Sequence, residues 1–236
     1  MKYLLTISLL LFALTAPAAG ESDYKSLPEY SRKVLDDVLS EASGAKEGKT
    51  FNIKALLTDS AGTRHFTRMA EGMLYRNAPG DLKRVESILR WLLASQYTDR
   101  DDAKGYYGTW PSTPKRAKSD LNWREFIGCD LVAIDACFSK RLNAGLVKGV
   151  RAALLRAAEG AMKRNVSIDY TNIAIMSAVL MEYVGAAQNR SDLARAGREK
   201  AVAIYELFKK YDTLSEYNSP TYYGADLVGL ATWRRF

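Results

Sequence analysis

The chain has 236 residues, of which 47% are hydrophobic and 26% are charged, and its formal net charge is +7 at pH 7. This length and composition allow one domain with a sizeable core. Lysine and arginine are spread along the chain and mixed with acidic residues, which argues against the concentrated basic stripe of a nucleic-acid-binding protein. The charge fits an anionic polymer as partner, and it equally fits ordinary solvated helix surfaces.

The first twenty residues have the pattern of a secretory signal peptide. Lys2 precedes an apolar run over Tyr3–Leu14, and the small residues Ala16-Pro17-Ala18 offer a cleavage site. We therefore expect a secreted or periplasmic protein, with an uncleaved N-terminal anchor as the alternative. The run is short for a membrane span and no later stretch is longer, so no stable span is expected after cleavage.

Apolar residues at helical spacing follow through most of residues 21–236, which we interpret as a single domain. Phe51–Leu57 is a short apolar piece whose type the pattern does not decide. The predicted helices cover Pro28–Ala42, Thr63–Arg76, a segment capped by Asp81, Trp123–Leu142, Ala144–Arg164, a segment from Thr171 or Asn172, a segment capped by Ser191, and Gly224–Phe236.

No segment predicts a series of strands, so the expected fold class is all-α, with stacked helical hairpins. Such a stack forms an (α/α) toroid or an incomplete one. A closed toroid needs roughly twelve helices, whereas the pattern provides about eight. We therefore expect either a toroid or an incomplete toroid, and the incomplete one would lack helices at its C-terminal side.

Cys129 and Cys137 are predicted to be unpaired. They lie on one predicted helix, where eight residues separate their Cα atoms by about 12 Å, and a disulfide needs about 7 Å or less. The only histidine is His65, and no cluster of Cys and His has metal-ligand spacing. We therefore predict neither a metal site nor a cofactor.

Two aromatic loops and a short turn are the candidate binding regions. The loops are Tyr97–Asn122 and Ser215–Asp226, and the turn is Val166–Asn172. Tyrosine, tryptophan and asparagine together suit stacking on sugar rings and hydrogen bonding to their hydroxyls. We expect all three regions at one end of the helix stack, with a polysaccharide or oligosaccharide as the ligand. The candidate ligand-binding residues are Tyr107, Trp110, Asn122, Trp123, Arg124, Asp169, Tyr170, Tyr217 and Asn218.

Several of these residues also have structural interpretations. Asn122 and Glu125 have the spacing of a capping box. Asp226 fits a cap of the last helix, and Asn218 before Ser219-Pro220 fits a closed turn. Trp110, in a loop rich in glycine and proline, is the better candidate for stacking than Trp123, which falls in a first helical turn. Tyr222 and Tyr223 fit a catalytic role, a binding platform or packing.

Three motifs carry a resemblance to known proteins. Asp120-Leu-Asn-Trp-Arg-Glu-Phe-Ile-Gly128 resembles a signature of secreted (α/α)-toroid polysaccharide lyases, the chondroitin and hyaluronate lyase group. Tyr170-Thr-Asn-Ile and Glu216-Tyr-Asn-Ser-Pro-Thr-Tyr-Tyr-Gly224 resemble motifs of toroid proteins compared with the heparinase II/III group. The resemblance extends over roughly Ile88–Trp233.

The resemblance implies cleavage of an acidic, uronate-containing polysaccharide by β-elimination. In that chemistry an amide or a cation neutralises the uronate carboxylate, and a tyrosine or histidine moves the proton. Asn172 would supply the amide, Tyr222 or Tyr223 would move the proton, and Asn122 and Trp123 would line the cleft. These lyases usually carry a catalytic histidine, and His65 lies outside the matching region.

Two rival functions are compatible with the same residues. An inverting glycoside hydrolase would use Glu216 as a catalytic carboxylate, paired with Asp226, Asp169 or Glu125. A glycan-binding protein or an inactive fragment would use the aromatic and amide residues for recognition alone. Arg124 would pair with a substrate carboxylate, or it would lie along the helix surface.

Overall fold

The protein is described from a computed structural model, which covers residues 24–43, 62–113, 120–216 and 218–236. Over these residues the chain forms α-helices and no strand, which confirms the predicted all-α class. The helices are α1 (Glu29–Ser43), α2 (Thr63–Arg76), α3 (Asp81–Ser95), α4 (Trp123–Phe138), α5 (Ala144–Arg164), α6 (Thr171–Ala187), α7 (Ser191–Tyr211) and α8 (Pro220–Arg235).

The helices pack as stacked hairpins in two rows. Consecutive helices pair as α2 with α3, α4 with α5, and α6 with α7, and α1 packs on α2. Helices α2, α4, α6 and α8 contact each other in that order and form the front row. Helices α3, α5 and α7 form the back row. Because alternate helices of successive hairpins run in the same direction, all front-row helices begin at the same end of the stack.

Helix α6 lies at the centre of this arrangement. Residues 171–181 are all buried, because α4 and α8 flank the helix and α5 and α7 pack behind it. Helix α7 approaches α6 so closely that a Cβ at Gly185 would meet the backbone of Ala194. A Cβ at Gly197 would likewise meet the backbone of Ala178 and Glu182. Glycine at both positions therefore permits the tight α6–α7 contact.

Most helix bounds agree with the sequence pattern. Helices α2 and α5 have the predicted bounds, and α1 is displaced by one residue. Helix α4 ends at Phe138 rather than Leu142, because the chain tightens into a 3-10 turn over Ser139–Arg141. Ser191 is the first residue of α7 and not its cap, since Arg190 occupies the capping position.

The prediction for the last helix is wrong at its start. Helix α8 begins at Pro220 and not at Gly224, so the second half of the predicted Ser215–Asp226 loop is helical. Proline suits the first helical position because the amide hydrogen it lacks has no partner there. Tyr222 and Tyr223 consequently lie in the first turn of α8.

Both cysteines are unpaired, as predicted, with Cys129 buried and Cys137 partly exposed. Within the described part of the chain, no helix is both long enough and apolar enough to cross a membrane. The predictions for residues 1–20 and for Phe51–Leu57 fall outside the described residues.

Candidate functional site

The first turns of the four front-row helices form one polar and aromatic surface, here called the start face. Helix α4 begins there at Trp123, α6 at Thr171 and α8 at Pro220. A Cβ at Gly62, the residue before α2, would lie 3.3 Å from the Trp123 ring, so α2 begins beside α4. The predicted meeting of the loops before α4, α6 and α8 is confirmed by the hydrogen bonds described next.

Asn122 connects α4 to α5 and α6. Its Nδ2 donates to the Tyr170 hydroxyl at 2.8 Å, and Arg164 Nη2 donates to its Oδ1 at 2.8 Å. The Asn122 side chain makes no capping bond to its own helix, so the capping box with Glu125 is wrong. The amide group instead holds the residue before α6 and the last residue of α5.

Glu125 is a fully buried carboxyl one turn below Asn122. Arg164 Nη1 lies 3.3 Å from Glu125 Oε2, while Oε1 has no hydrogen-bond partner. Burial raises the pKa of this carboxyl above its ordinary value, although the nearby Arg124 and Arg164 oppose that shift.

Arg124 does not reach the surface, so its predicted role in pairing with a substrate carboxylate is wrong. Its side chain is 1% exposed, and it donates to the carbonyl oxygens of Tyr107 and Gly105. A Cβ at Gly160 would lie 2.3 Å from the Tyr107 carbonyl oxygen and 2.7 Å from Arg124 Nε. Glycine at this position therefore leaves room for the hydrogen bond between Arg124 and Tyr107. Arg124 therefore fastens the Tyr97–Asn122 loop to the helix stack.

The aromatic residues of that loop are also structural. Trp110 is fully buried and donates from Nε1 to the Leu92 carbonyl oxygen at 2.9 Å. Tyr107 is 6% exposed and donates from its hydroxyl to Glu159 Oε2 at 2.7 Å. The prediction that Trp110 and Tyr107 contact a ligand is therefore wrong, because neither ring is available for stacking.

Glu216 reaches the start of α6 from the segment before α8. Its Oε2 accepts from the backbone N–H of Asn172 at 3.2 Å and from Asn172 Nδ2 at 2.8 Å. Two N–H donors at a helix start suit a carboxylate anion. Asn172, the predicted neutralising amide, is 1% exposed and binds a carboxylate of its own chain.

Asp226 is a buried carboxyl without a hydrogen-bond partner. It is 1% exposed, and both Oδ1 and Oδ2 lack partners. Burial, and then the charge of Glu216, raise the pKa of Asp226 to about 7. Its predicted role as a helix cap is wrong, because Asp226 lies well inside α8.

The exposed aromatic residues of the start face come from α8. Tyr222 is 42% exposed and Tyr223 is 39% exposed. Tyr170 is half-buried, and burial is the main cause that raises the pKa of its hydroxyl. Trp123 is partly buried against the main core.

The other predicted site residues precede the starts of α6 and α8. Asp169 is exposed, and its backbone oxygen accepts from the Thr171 hydroxyl. Asn218 is exposed, and Tyr217 lies outside the described residues.

Sequence reasoning missed Arg164 and Arg64. Arg164 is the last residue of α5, where a basic residue is ordinary, so no signal distinguished it. Arg64 lies in the first turn of α2, where a cation is opposed by the helix dipole, and that position could have identified it. Among the described residues, no group of His, Cys, Asp and Glu side chains is arranged to hold a metal ion.

A search among curated proteins returns no match for this chain. Residues 25–236 match the family described as Domain of unknown function (DUF8769). The match extends over all the described helices, and the chain belongs to this family.

Proposed function

We propose that this is an exported carbohydrate-active protein that binds a glycan at the start face and hydrolyses it with Glu216 and Asp226. The observation that carries the proposal is the placement of two carboxyls in opposite environments. Asn172 orients Glu216 with two N–H donors, and nearby Asp226 is buried without any partner. Two carboxyls in different environments, of which one has a raised pKa, are the usual arrangement for acid–base cleavage of a glycosidic bond.

The environments assign a role to each carboxyl. Asp226, with its pKa raised to about 7, holds a proton near neutral pH and acts as the general acid that protonates the leaving oxygen. Glu216 acts as the base that removes a proton from the attacking water. Both hydrogen bonds from Asn172 fall on Oε2, which leaves Oε1 to contact that water.

This role requires the segment before α8 to move when a glycan binds. Asp226 is 1% exposed, so a glycosidic oxygen reaches it only after the first turns of α8 shift. Tyr222 and Tyr223 lie on those turns, and their exposed rings supply stacking surfaces for a sugar. Glycan binding and exposure of Asp226 are therefore coupled in the proposal.

β-Elimination from an acidic polysaccharide is the second candidate. It is favoured by the closeness of Tyr170 and Tyr222 at the start face, where burial first, and Tyr222 to a smaller extent, raise the pKa of Tyr170. It requires Asn172 to release Glu216 before the amide can neutralise a uronate, and it leaves the partnerless Asp226 without a role. For these two reasons hydrolysis ranks first.

The test is a product assay with the secreted protein on a panel of neutral and uronate-containing polysaccharides. Hydrolysis releases reducing ends without ultraviolet absorbance, whereas elimination also creates an absorbing unsaturated uronate. We expect reducing ends alone, and we expect Glu216→Gln to lower their release by about 10² to 10⁴-fold, the usual contribution of acid–base catalysis.

The matched control is Glu206→Gln, because Glu206 is an exposed carboxylate on α7 that pairs only with Lys209 among the described residues. This variant should keep the full rate. An ultraviolet-absorbing product would instead establish elimination. Retarded migration in a glycan-containing gel without any product would indicate a binding protein and contradict both reactions.

A further inference from the structure

Arg64 presents a half-buried guanidinium beside the start face. Its Cζ lies 3.5 Å from the centre of the Phe126 ring, so the flat face of the cation covers the aromatic face. Its Nε is buried and has no hydrogen-bond partner. No carboxylate of the described residues lies within ion-pair distance of Arg64, although most buried cations are paired.

Stacking on Phe126 leaves the edge of the guanidinium for another partner. The N–H groups of arginine point outward in the plane of the group and match the two oxygens of a carboxylate. Burial, and then the neighbouring Arg68, lower the pKa of Arg64 to about 9, so the group remains a cation at neutral pH. An anion that accepts from these in-plane N–H groups would restore the stabilisation that burial removes.

The groups around Arg64 include another arginine and two carboxyls. Arg68 lies on the same helix, Asp130 of α4 is the carboxyl that acts on Arg64, and Glu71 of α2 lies near Asp130 and Arg68. Asp130 is 7% exposed, and its Oδ2 has no hydrogen-bond partner. Burial raises the pKa of both carboxyls, and Asp130 raises that of Glu71 further. Burial therefore weakens the negative charge that these two carboxyls present.

Arg64 and Phe126 lie near the proposed catalytic pair, Glu216 and Asp226. Phe126 packs on a small apolar cluster of Cys129, Ile173 and Met176. Ala225, the neighbour of Asp226 in sequence, packs on the same cluster, as does Tyr170. The ring that Arg64 covers and the sequence neighbour of Asp226 thus pack on one small cluster, which places both residues on the same side of the stack.

We propose that Arg64, stacked on Phe126, binds the carboxylate of an acidic sugar and selects uronate-containing glycans at the start face. The assignment rests on the proposed glycan-binding function and names its substrate class. A purely structural role explains the contacts of Arg64 less well. The structural arginines Arg124 and Arg164 form hydrogen bonds to carbonyl or carboxylate oxygens of the chain. Arg124 also has one buried nitrogen without a partner, Nη1, but no side-chain hydrogen bond joins Arg64 to any described residue, and Arg64 lies near a helix start, where its charge is disfavoured.

The experiment measures the affinity of the intact protein for trisaccharides of galacturonate, glucuronate and mannuronate by isothermal titration calorimetry. Each trisaccharide is compared with its carboxyl-reduced counterpart, which keeps the sugar rings and loses the charge. We expect the wild-type protein to bind at least one acidic trisaccharide about tenfold more tightly than its reduced form, the effect of one charged hydrogen-bonding pair.

Arg64→Met should bring this affinity ratio to about one, and Arg64→Lys should keep only part of it because lysine lacks the planar fork. The control is Arg195→Met, which removes the same charge from a site on α7 that is 74% exposed and should leave the ratio unchanged. Thermal unfolding of each variant checks that the protein is folded, and Arg64→Lys is the second variant if Arg64→Met unfolds.

The outcomes separate this inference from the proposed function. Equal affinity for acidic and reduced trisaccharides, or an unchanged ratio in both Arg64 variants, overturns the subsite and leaves glycan binding intact. A wild-type protein that binds none of the trisaccharides overturns the subsite and argues against the proposed function as well.

Discussion

Asn122 and Asn143 both precede a helix, yet their side chains have different roles. Asn143 precedes α5, and its Oδ1 accepts from the Gly145 backbone N–H at 2.8 Å, an ordinary helix cap. Asn122 precedes α4, and its amide binds Tyr170 and Arg164 of other elements instead. Helix α5 begins at the opposite end of the stack from α4, because the two form a hairpin.

The start face contains further contacts between separate elements. At the start face, Glu216 contacts the start of α6 from the segment before α8, and Asp226 is buried without a partner. Side chains there are bound across elements that are distant in sequence. Such contacts place several polar groups together, and that arrangement serves a binding site better than it serves the stability of any one helix.

The largest stability effect is expected at Arg124. Replacing it with methionine removes its two hydrogen bonds to the Tyr97–Asn122 loop and leaves Glu125 with only Arg164 as an ion-pair partner. Breaking a buried charged network of this kind costs about 3 kcal/mol. Denaturant unfolding should show this loss, while Arg195→Met should change the unfolding free energy by less than about 0.5 kcal/mol. A loss below about 1 kcal/mol for Arg124→Met would contradict its fastening role.

Asp226 should make stability depend on pH. Its folded pKa of about 7 is above the unfolded value of about 3.9. The folded state therefore binds more protons, and the stability that Asp226 contributes below its unfolded pKa is lost as pH rises through about 7. Asp226→Asn removes this dependence, so its unfolding free energy relative to wild type should rise by about 2 kcal/mol from pH 5 to pH 8.

Unfolding curves at both pH values measure that difference directly. Taking the difference between variant and wild type cancels the titration of other buried carboxyls, including Asp130 and Glu71. A difference that stays constant with pH would show that Asp226 has an ordinary proton affinity.

The two asparagines allow a matched test of the comparison itself. Asn143→Ala should cost about 1 kcal/mol of unfolding free energy, and Asn143→Ser should restore most of it because serine is also a good cap. Asn122→Ala should cost a similar amount, about 1 kcal/mol. Asn122→Ser should not restore it, because one hydroxyl cannot replace both contacts of the amide. Rescue by serine at both positions would show that Asn122 is a cap after all.

The smallest stability effect is expected at Tyr223. The side chain is 39% exposed, so Tyr223→Ser should change the unfolding free energy by less than about 0.5 kcal/mol. Loss of one stacked ring should nevertheless weaken glycan affinity by about fivefold, consistent with the usual value of an aromatic contact. Unchanged affinity would remove Tyr223 from the binding surface.

The sequence pattern predicted the helices better than it predicted the site. The regular apolar spacing of α2 and α5 defined both helices at both ends. The start of α8 was missed because Pro220, Tyr222 and Tyr223 resemble a loop in composition, although proline is favourable in a first helical turn. Trp110 was assigned to the surface because composition does not show that a loop tryptophan can reach the core.

The contacts of the site could be predicted only in part. The sequence identified Asn122, Tyr170, Asn172 and Glu216, and it placed their loops at one end. It could not show which partners they take, because Asn122 binds a residue 42 positions away and Glu216 binds one 44 positions away. The unpartnered state of Asp226 and of Arg64 Nε depends on packing from several helices, so no local pattern reveals it.

The most direct test of the central claim is a double-variant cycle on Glu216 and Asp226. The measurement is the rate of reducing-end release by wild type, Glu216→Gln, Asp226→Asn and the double variant on a polysaccharide that the wild type cleaves. Two residues acting as one catalytic unit should each lower the rate by about 100-fold or more, and the double variant should be little slower than the slower single variant. Single variants that keep more than about a tenth of the wild-type rate, a loss well below acid–base catalysis, would contradict the account, as would effects that multiply in the double variant.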